Sequence, residues 1–329
     1  MIKSIYTAVP RDKYEVSELL SSAPDMSPDK IEEIISSTGI SNTRILNDDL
    51  NTSDLFYKSA SAVVDDCGKE IDALICVTQT PDYLCPNVAS LLHHRLGLPK
   101  TCLTFDINQG CSGYIYGLYI ANQIIKSKNI NSILLCVGDA NHKNIKKDNY
   151  SVRSLFGDAG STTLIVGDGV DDSLFLFGSD GKGAKHLGVP SYGFRKPNTD
   201  NDVFSKLSPD ERDALYMDGA QVFMFGIREV PKFVNNFMHD KKTDYLVFHQ
   251  ANKSLLDAIE KKLDFNFLPL YSLHEYGNTS SATIPLSICN NEIDFSNKNI
   301  LMCGFGIGWS WGQFMYESDS NINTEILEL

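Results

Sequence analysis

The sequence has no uninterrupted apolar run long enough to cross a bilayer, and no early apolar stretch with a basic lead and a small-residue cleavage site. Membrane insertion and export are not expected, and the chain reads as cytoplasmic. It has no C-x-x-C pair among its eight cysteines (67, 76, 85, 102, 111, 136, 289 and 303), several of which lie inside apolar strand-like runs. Reduced thiols in a reducing compartment are the expectation. Its seven histidines (93, 94, 142, 186, 239, 249 and 274) lack the paired spacing of zinc sites. No metal is expected, and His93-His94 reads as helix surface. There is no basic excess either: 29 Lys and Arg face 42 Asp and Glu, a formal charge of −13. That balance repels a phosphate backbone, so nucleic acid is not an expected partner. An acidic protein partner would need a local basic patch. The cluster Lys143-Asn144-Ile145-Lys146-Lys147 and Lys232, Lys241 and Lys242 are candidates, although most such clusters are solvated surface.

What is present is an ordinary globular composition, 329 residues with 42% apolar and 22% charged side chains. This is ample for a large core in one or two domains. Ser27-Pro28-Asp29, followed by Ile31, Ile34 and Ile35 and stopped by Gly39, predicts a capped amphipathic helix, and Thr52-Ser53-Asp54 opens another. Residues 71–78 read as a buried strand, 87–96 as a helix and 102–107 as a second strand. From Ser112 to Ile125 the sequence is apolar nearly all round, which marks a buried helix.

Between that second strand and that helix lies Asn108-Gln109-Gly110-Cys111-Ser112-Gly113. A thiol at a helix N-terminus feels the positive end of the peptide dipoles, which favours the thiolate and predicts a lowered pKa. Gly110 and Gly113 leave room for a carbonyl to approach the sulfur. Cys111 is therefore a candidate nucleophile, with a small buried hydrophobe as the plain alternative.

The second half repeats the plan of the first. Asp244–Gln250 echoes Asp72–Thr78, Leu270–Thr279 echoes the strand and turn at Gly110-Cys111-Ser112, and Asn299–Gly304 echoes Asn131–Cys136. Asn131 follows Cys111 by 20 positions, and Asn299 follows Asn278 by 21. Two facing βαβαβ halves, 1–168 and 169–329, would bring Cys111 and Asn278 into one site.

Gly110-Cys111-Ser112-Gly113, Phe156-Gly157-Asp158-Ala159-Gly160, Met217-Asp218-Gly219, His249-Gln250-Ala251-Asn252, Gly277-Asn278-Thr279-Ser280-Ser281-Ala282 and Gly304 to Gly312 together resemble the ordered motif set of the β-ketoacyl-acyl-carrier-protein synthase III family. The resemblance covers residues 1–316 and leaves an acidic tail, 317–329. It implies an α/β thiolase-like fold, five layers α-β-α-β-α, in a homodimer. It also implies a decarboxylative Claisen condensation. Cys111 would take an acyl group from acyl-CoA or an acyl-carrier protein. His249 and Asn278 would meet the enolate oxygen formed from malonyl-acyl-carrier protein. The backbone N–H groups of Cys111 and Ile307 would form a second oxyanion hole, and Phe305, Gly306, Cys85, Asn252 and Lys253 would bind substrate. No cofactor is implied, since CoA and phosphopantetheine thioesters are substrates.

Several positions depart from the family pattern. Gly306-Ile307-Gly308 replaces three consecutive glycines, and a β-branched residue resists positive φ. Glu33 and Tyr150 stand where a tryptophan and an arginine meet CoA, Ser254 replaces an arginine that receives the carrier, and Cys85 replaces a phenylalanine that closes the partner subunit's acyl pocket. A specialised member with a larger or functionalised acyl donor is the expectation. Acyl transfer to an amine or alcohol without decarboxylation and a catalytically inactive scaffold stay open as alternatives. A hydroxymethylglutaryl-CoA synthase is disfavoured because Gln79 stands near where that family needs a carboxylate base, unless Asp82 reaches the site. Trp309 and Trp311 are expected to pack the final strand.

Overall fold

The computed structural model describes residues 2–24, 26–68, 70–126, 129–167, 169–195 and 202–329; residue 168, at the expected boundary of the halves, lies outside them. The principal strands are β1 (Ile2–Val9), β2 (Ala73–Val77), β3 (Leu103–Ile107), β4 (Ser132–Asp139), β5 (Ala159–Val166), β6 (Phe175–Ser179), β7 (Tyr245–Phe248), β8 (Leu268–Pro269), β9 (Lys298–Gly306), β10 (Ser310–Ser318) and β11 (Asn323–Glu328). The principal helices are α1 (Pro28–Thr38), α2 (Thr52–Cys67), α3 (Val88–Arg95), α4 (Gly113–Ile125), α5 (Gly219–Met238), α6 (Lys253–Glu260) and α7 (Thr283–Cys289).

The strands form two large sheets, in the orders β11-β1-β5-β4-β2-β3 and β8-β7-β9-β10-β6. Apart from β11, the two orders correspond strand for strand. β2 lies parallel between β3 and β4, as β7 lies parallel between β8 and β9, and antiparallel pairs continue outward from β4 and β9. Strands β2, β4 and β5 are buried along their whole length, as continuous apolar runs covered on both faces require.

Helices α4 and α7 touch both sheets and form the middle layer. Helix α4 has no polar face because both of its sides are core: Tyr114, Ile115, Leu118, Ala121 and Ile125 are all buried. Each large apolar side chain so buried contributes about 1.5–3 kcal/mol. Helices α2 and α3 cover the outer face of the first sheet, and α5 packs with α6 outside the second. The expected five-layer α-β-α-β-α arrangement is thus observed.

Local signals hold where a specific side chain enforces them. Ser27 caps α1 through Lys30 N at 3.3 Å, and Gly39 ends it in the left-handed region at φ 70°. The tail is a correction. Residues 323–328 form β11, which lies parallel to β1 with Ser4 opposite Asn323 and Val9 opposite Glu328. Ile326 and Leu327 are half-buried, so this segment adds an edge strand to the first sheet. Of the tryptophans, Trp311 lies on β10, whereas Trp309, in the turn before it, stacks between Phe225 of α5 (4.7 Å) and His186 (5.8 Å).

Candidate active site

The turn that carries Cys111 runs from β3 into the N-terminus of α4, and the turn 307–309 joins β9 to β10. Side chains tie the two together. Gln109 Nε2 donates to Ser112 Oγ (2.8 Å) and Ser310 Oγ (2.9 Å), and Ser310 Oγ donates to the Ile307 carbonyl (2.8 Å). Glycine is required where backbone meets the sulfur: a Cβ on Gly306 would lie 2.7 Å from Cys111 Cβ and 3.0 Å from Sγ. Ile307 is not in the positive-φ region, which Gly308 occupies instead at φ 126°. The substitution in the glycine triplet therefore leaves the Ile307 N–H directed at the Cys111 sulfur, as the Cys111 N–H also is.

His249 follows β7 and is 2% exposed. Its Nδ1 meets Thr283 Oγ1 at 2.8 Å, and its ring stands edge-on to Phe305. Burial lowers its pKa to about 3, so the imidazole is neutral. Asn278 is fixed by an unusual junction. Its N–H donates to the Leu155 carbonyl (2.8 Å) and its carbonyl accepts from Gly157 N–H (3.1 Å). This places Phe156-Gly157 of the first half directly against the second, and a Cβ on Gly157 would lie 2.2 Å from the Tyr276 carbonyl oxygen. Asn278 Oδ1 accepts from Ser280 N–H at 2.9 Å, which leaves the amide nitrogen as the group it has to offer.

Cys111, His249 and Asn278 line one cavity of about 330 Å³, together with Phe305, Gly306 and Asn252. The rest of its wall is apolar or hydroxylic, including Leu187, Met217, Phe223, Ser37, Ser151 and Ser254. Among the described residues, no aspartate, glutamate, lysine or arginine lines it. Two expected substrate contacts are elsewhere. Lys253 packs over Gly39 and pairs with Asp257 at 2.5 Å, so it is drawn along its own helix and does not line the cavity. Cys85 sits on an exposed loop beside Tyr83 and Leu84, outside the cavity of its own chain. Asp82 is committed to the start of α2, accepting from Ser53 N–H (3.0 Å) and Ser53 Oγ (2.7 Å), and does not reach the site. Lys143, from the basic cluster, is engaged by the Asp48 and Leu50 carbonyls and Asn51 Oδ1.

The expected thiolate is a further correction. Burial first, and then repulsion from Asp139, push the Cys111 pKa up to about 12, against the opposing bonds from the Ile307 and Cys111 N–H groups and the Ser280 hydroxyl. The sulfur is exposed only toward the cavity, so desolvation outweighs the helix terminus. The sequence reading missed Asp139, Ser280 and Thr283. The available signal for Asp139 was a carboxylate closing an otherwise unbroken apolar strand. Among the described residues no cluster of His, Cys, Asp and Glu could hold a metal ion, and no helix is long and apolar enough to cross a membrane.

Comparison with known proteins bears on the same residues. The family model for 3-oxoacyl-[acyl-carrier-protein] synthase III matches residues 105–181, and that for its C-terminal portion matches 235–318. A putative 3-oxoacyl-[acyl-carrier-protein] synthase 3 of Campylobacter jejuni is 32% identical over 326 residues, covering 94% of this chain and 92% of its own. A β-ketoacyl-[acyl-carrier-protein] synthase III of Bacillus pumilus is 32% identical over 85% of this chain and 88% of its own. The crystal structure of a 3-oxoacyl-(acyl-carrier protein) synthase from Burkholderia xenovorans superposes with a TM-score of 0.88 at 31% identity, over 99% of this chain and 96% of that one.

Proposed function

The chain belongs to the 3-oxoacyl-[acyl-carrier-protein] synthase III family, and from that premise we propose that it condenses an acyl thioester with malonyl-acyl-carrier protein through an acyl group held on Cys111. In the first half-reaction Cys111 Sγ forms a bond to the thioester carbonyl carbon, and the carrier leaves as a thiol. The N–H groups of Cys111 and Ile307 are positioned for the oxyanion of that tetrahedral intermediate. In the second, the malonyl carboxylate leaves as carbon dioxide, and the carbon that held it attacks the acyl carbon and expels Cys111 Sγ. Negative charge gathers meanwhile on the malonyl thioester oxygen, which Asn278 Nδ2 and His249 Nε2 meet. His249 donates there in the tautomer with its proton on Nε2, for which Thr283 Oγ1 turns its single proton from the Ser280 carbonyl to His249 Nδ1.

The observation that carries this reading is the Asn278 amide. With Oδ1 held by Ser280 N–H, its donor end is left for the cavity that also holds Cys111 and His249. Transfer to an amine or alcohol forms no enolate and has no use for such a donor pair. The uncharged wall supports a larger or functionalised acyl donor and a specialised member of the family. The repeated sheet plan supports reading 1–168 and 169–329 as two similar halves. An acyl-carrier protein and acyl-CoA are the proposed partners, and a homodimer the proposed assembly.

Intact-protein mass measurement after incubation with acyl-CoA and acyl-carrier thioesters tests the reaction. The expected result is an adduct that disappears in Cys111→Ala and is discharged as condensed product by malonyl-carrier. An adduct that malonyl-carrier never discharges would instead establish simple acyl transfer.

A further inference from the structure

Cys111 must lose a proton to become acylated, and its surroundings keep that proton on the sulfur. Of the two bases nearest to hand, His249 is a poor one, because burial lowers its pKa to about 3 and its Nδ1 is taken up with Thr283. The other is Asp139, the last residue of β4, fully buried. Its Oδ1 is saturated by Gln79 N–H (2.7 Å), Thr78 Oγ1 (2.8 Å) and Thr80 Oγ1 (3.2 Å). Its Oδ2 is sealed from solvent with no hydrogen-bond partner. Burial raises its pKa above the ordinary carboxylate range, which makes it the stronger base of the pair.

Ser280 connects the two groups. Its hydroxyl lies close enough to both Cys111 and the Asp139 carboxylate to favour the charged form of each, while Oδ2 keeps no hydrogen-bond partner. Its backbone is held at φ 55°, unusual for a residue with a side chain, by its N–H on Asn278 Oδ1 (2.9 Å) and by its carbonyl, which accepts from Thr283 Oγ1 (2.9 Å). The elements packed around Asp139 present Thr78, Gln79 and Thr80 from the loop after β2, Ala159 from β5 and Ser280 from the segment before α7. Among these neighbours and Cys111, the group that titrates is the Cys111 thiol.

We propose that Asp139, through the Ser280 hydroxyl, accepts the proton that Cys111 sheds on acylation and returns it when the product departs. As Sγ bonds to the acyl carbon, the thiol proton passes to Ser280 Oγ and the Ser280 proton passes to Asp139 Oδ2. The departing carrier thiolate takes its proton from water. When the C–C bond forms and Cys111 Sγ is expelled as thiolate, the Asp139 proton returns by the same route. The resting site thus holds one negative charge, on Asp139, and in the acyl-enzyme Cys111 and Asp139 are both neutral. The carboxylate that opposes thiolate formation is neutralised by the proton it receives, so its repulsion vanishes when the sulfur needs to be reactive.

This inference rests on Cys111 being the nucleophile, and the experiment separates the two. Acyl transfer from acetyl-, hexanoyl- and decanoyl-N-acetylcysteamine onto Cys111 is followed by mass across the pH range in the wild type, Asp139→Asn and Ser280→Gly. Glycine suits the positive φ at 280 and removes the hydroxymethyl group while leaving the Oδ1 bonds of Asp139 intact. The wild type should acylate at a rate nearly independent of pH around neutrality. Both variants should be slowed by about 10²-fold there and should speed up steeply with pH as hydroxide replaces the lost acceptor. Variants that keep the wild-type pH profile, or an Asp139→Asn enzyme that acylates faster because a repelling charge is gone, overturn the proton route. Absence of any adduct on wild-type Cys111 overturns the nucleophile and this inference with it.

Discussion

At Asn278 the chemistry depends on which end of one amide faces the cavity. Replacing it by aspartate keeps an oxygen for Ser280 N–H and substitutes an acceptor for the donor. We expect acylation of Cys111 to survive and condensation to fall by about 10²–10³-fold, the usual loss for one oxyanion donor; adduct mass and product formation measured side by side test this. His249 adds a pH dependence of stability. The unfolded histidine binds its proton near pH 6.5, and the folded one does so only near about 3. Its contribution is therefore fully present above about pH 6.5 and is lost as pH falls, by about 1 kcal/mol per pH unit. Urea midpoints at neutral and mildly acidic pH should show a drop that His249→Gln reduces. Asp139, with its pKa raised, has the opposite sign, contributing at low pH and less as pH rises through its folded value. The sequence pointed to Cys111, His249 and Asn278 as one site, and they do line one cavity, because each stands on a turn or strand end with a distinctive motif. It did not carry the protonation of Cys111, because the burial and the charge repulsion that hold the proton come from residues elsewhere in the chain, such as Gly306 and Asp139. Nor did it reveal that Lys253 is held by Asp257, a choice between rotamers of one exposed side chain.

At the scale of elements, the site is a meeting of strand ends. Strands β2, β4, β7 and β9 all deliver their C-terminal ends to the region of the cavity, since Gln79, Asp139, His249 and Gly306 follow or close them. This geometry was legible in the repeat, where matching strands and turns recur at matching spacings. The end of β9 is the least tolerant part. In Gly306→Ala the new Cβ would collide with the Cys111 side chain and not with distant core. We expect this variant to fold with a thermal midpoint near that of the wild type and to lose nearly all Cys111 acylation. In Gly157→Ala the new Cβ would strike the Tyr276 backbone oxygen instead. That variant should be destabilised, in the range of about 1–3 kcal/mol for overpacking, and denaturant unfolding distinguishes the two cases.

For the molecule as a whole, the two sheets treat their edges differently. The outer edge of β1 is covered by β11, whereas β3 has a strand partner on one side only, and Leu103 on it is 44% exposed. An uncovered strand edge invites pairing with another chain, which supports the proposed homodimer through β3. Thr104→Pro, which removes a backbone donor from that edge, is expected to shift the mass measured by light scattering from dimer toward monomer. Residues 323–328 lie beyond the stretch matched by the family models, and nothing in the motif pattern pointed to them as a strand, since partners some three hundred residues apart leave no local signal. The pairing of Ser4 with Asn323 also sets an order in time. On a ribosome β1 emerges some three hundred residues ahead of its outer neighbour, with Cys111, His249 and Asn278 all made in between. Until residues 323–328 have been made the edge of β1 is open, so a pause in translation before them would leave that edge exposed to aggregation.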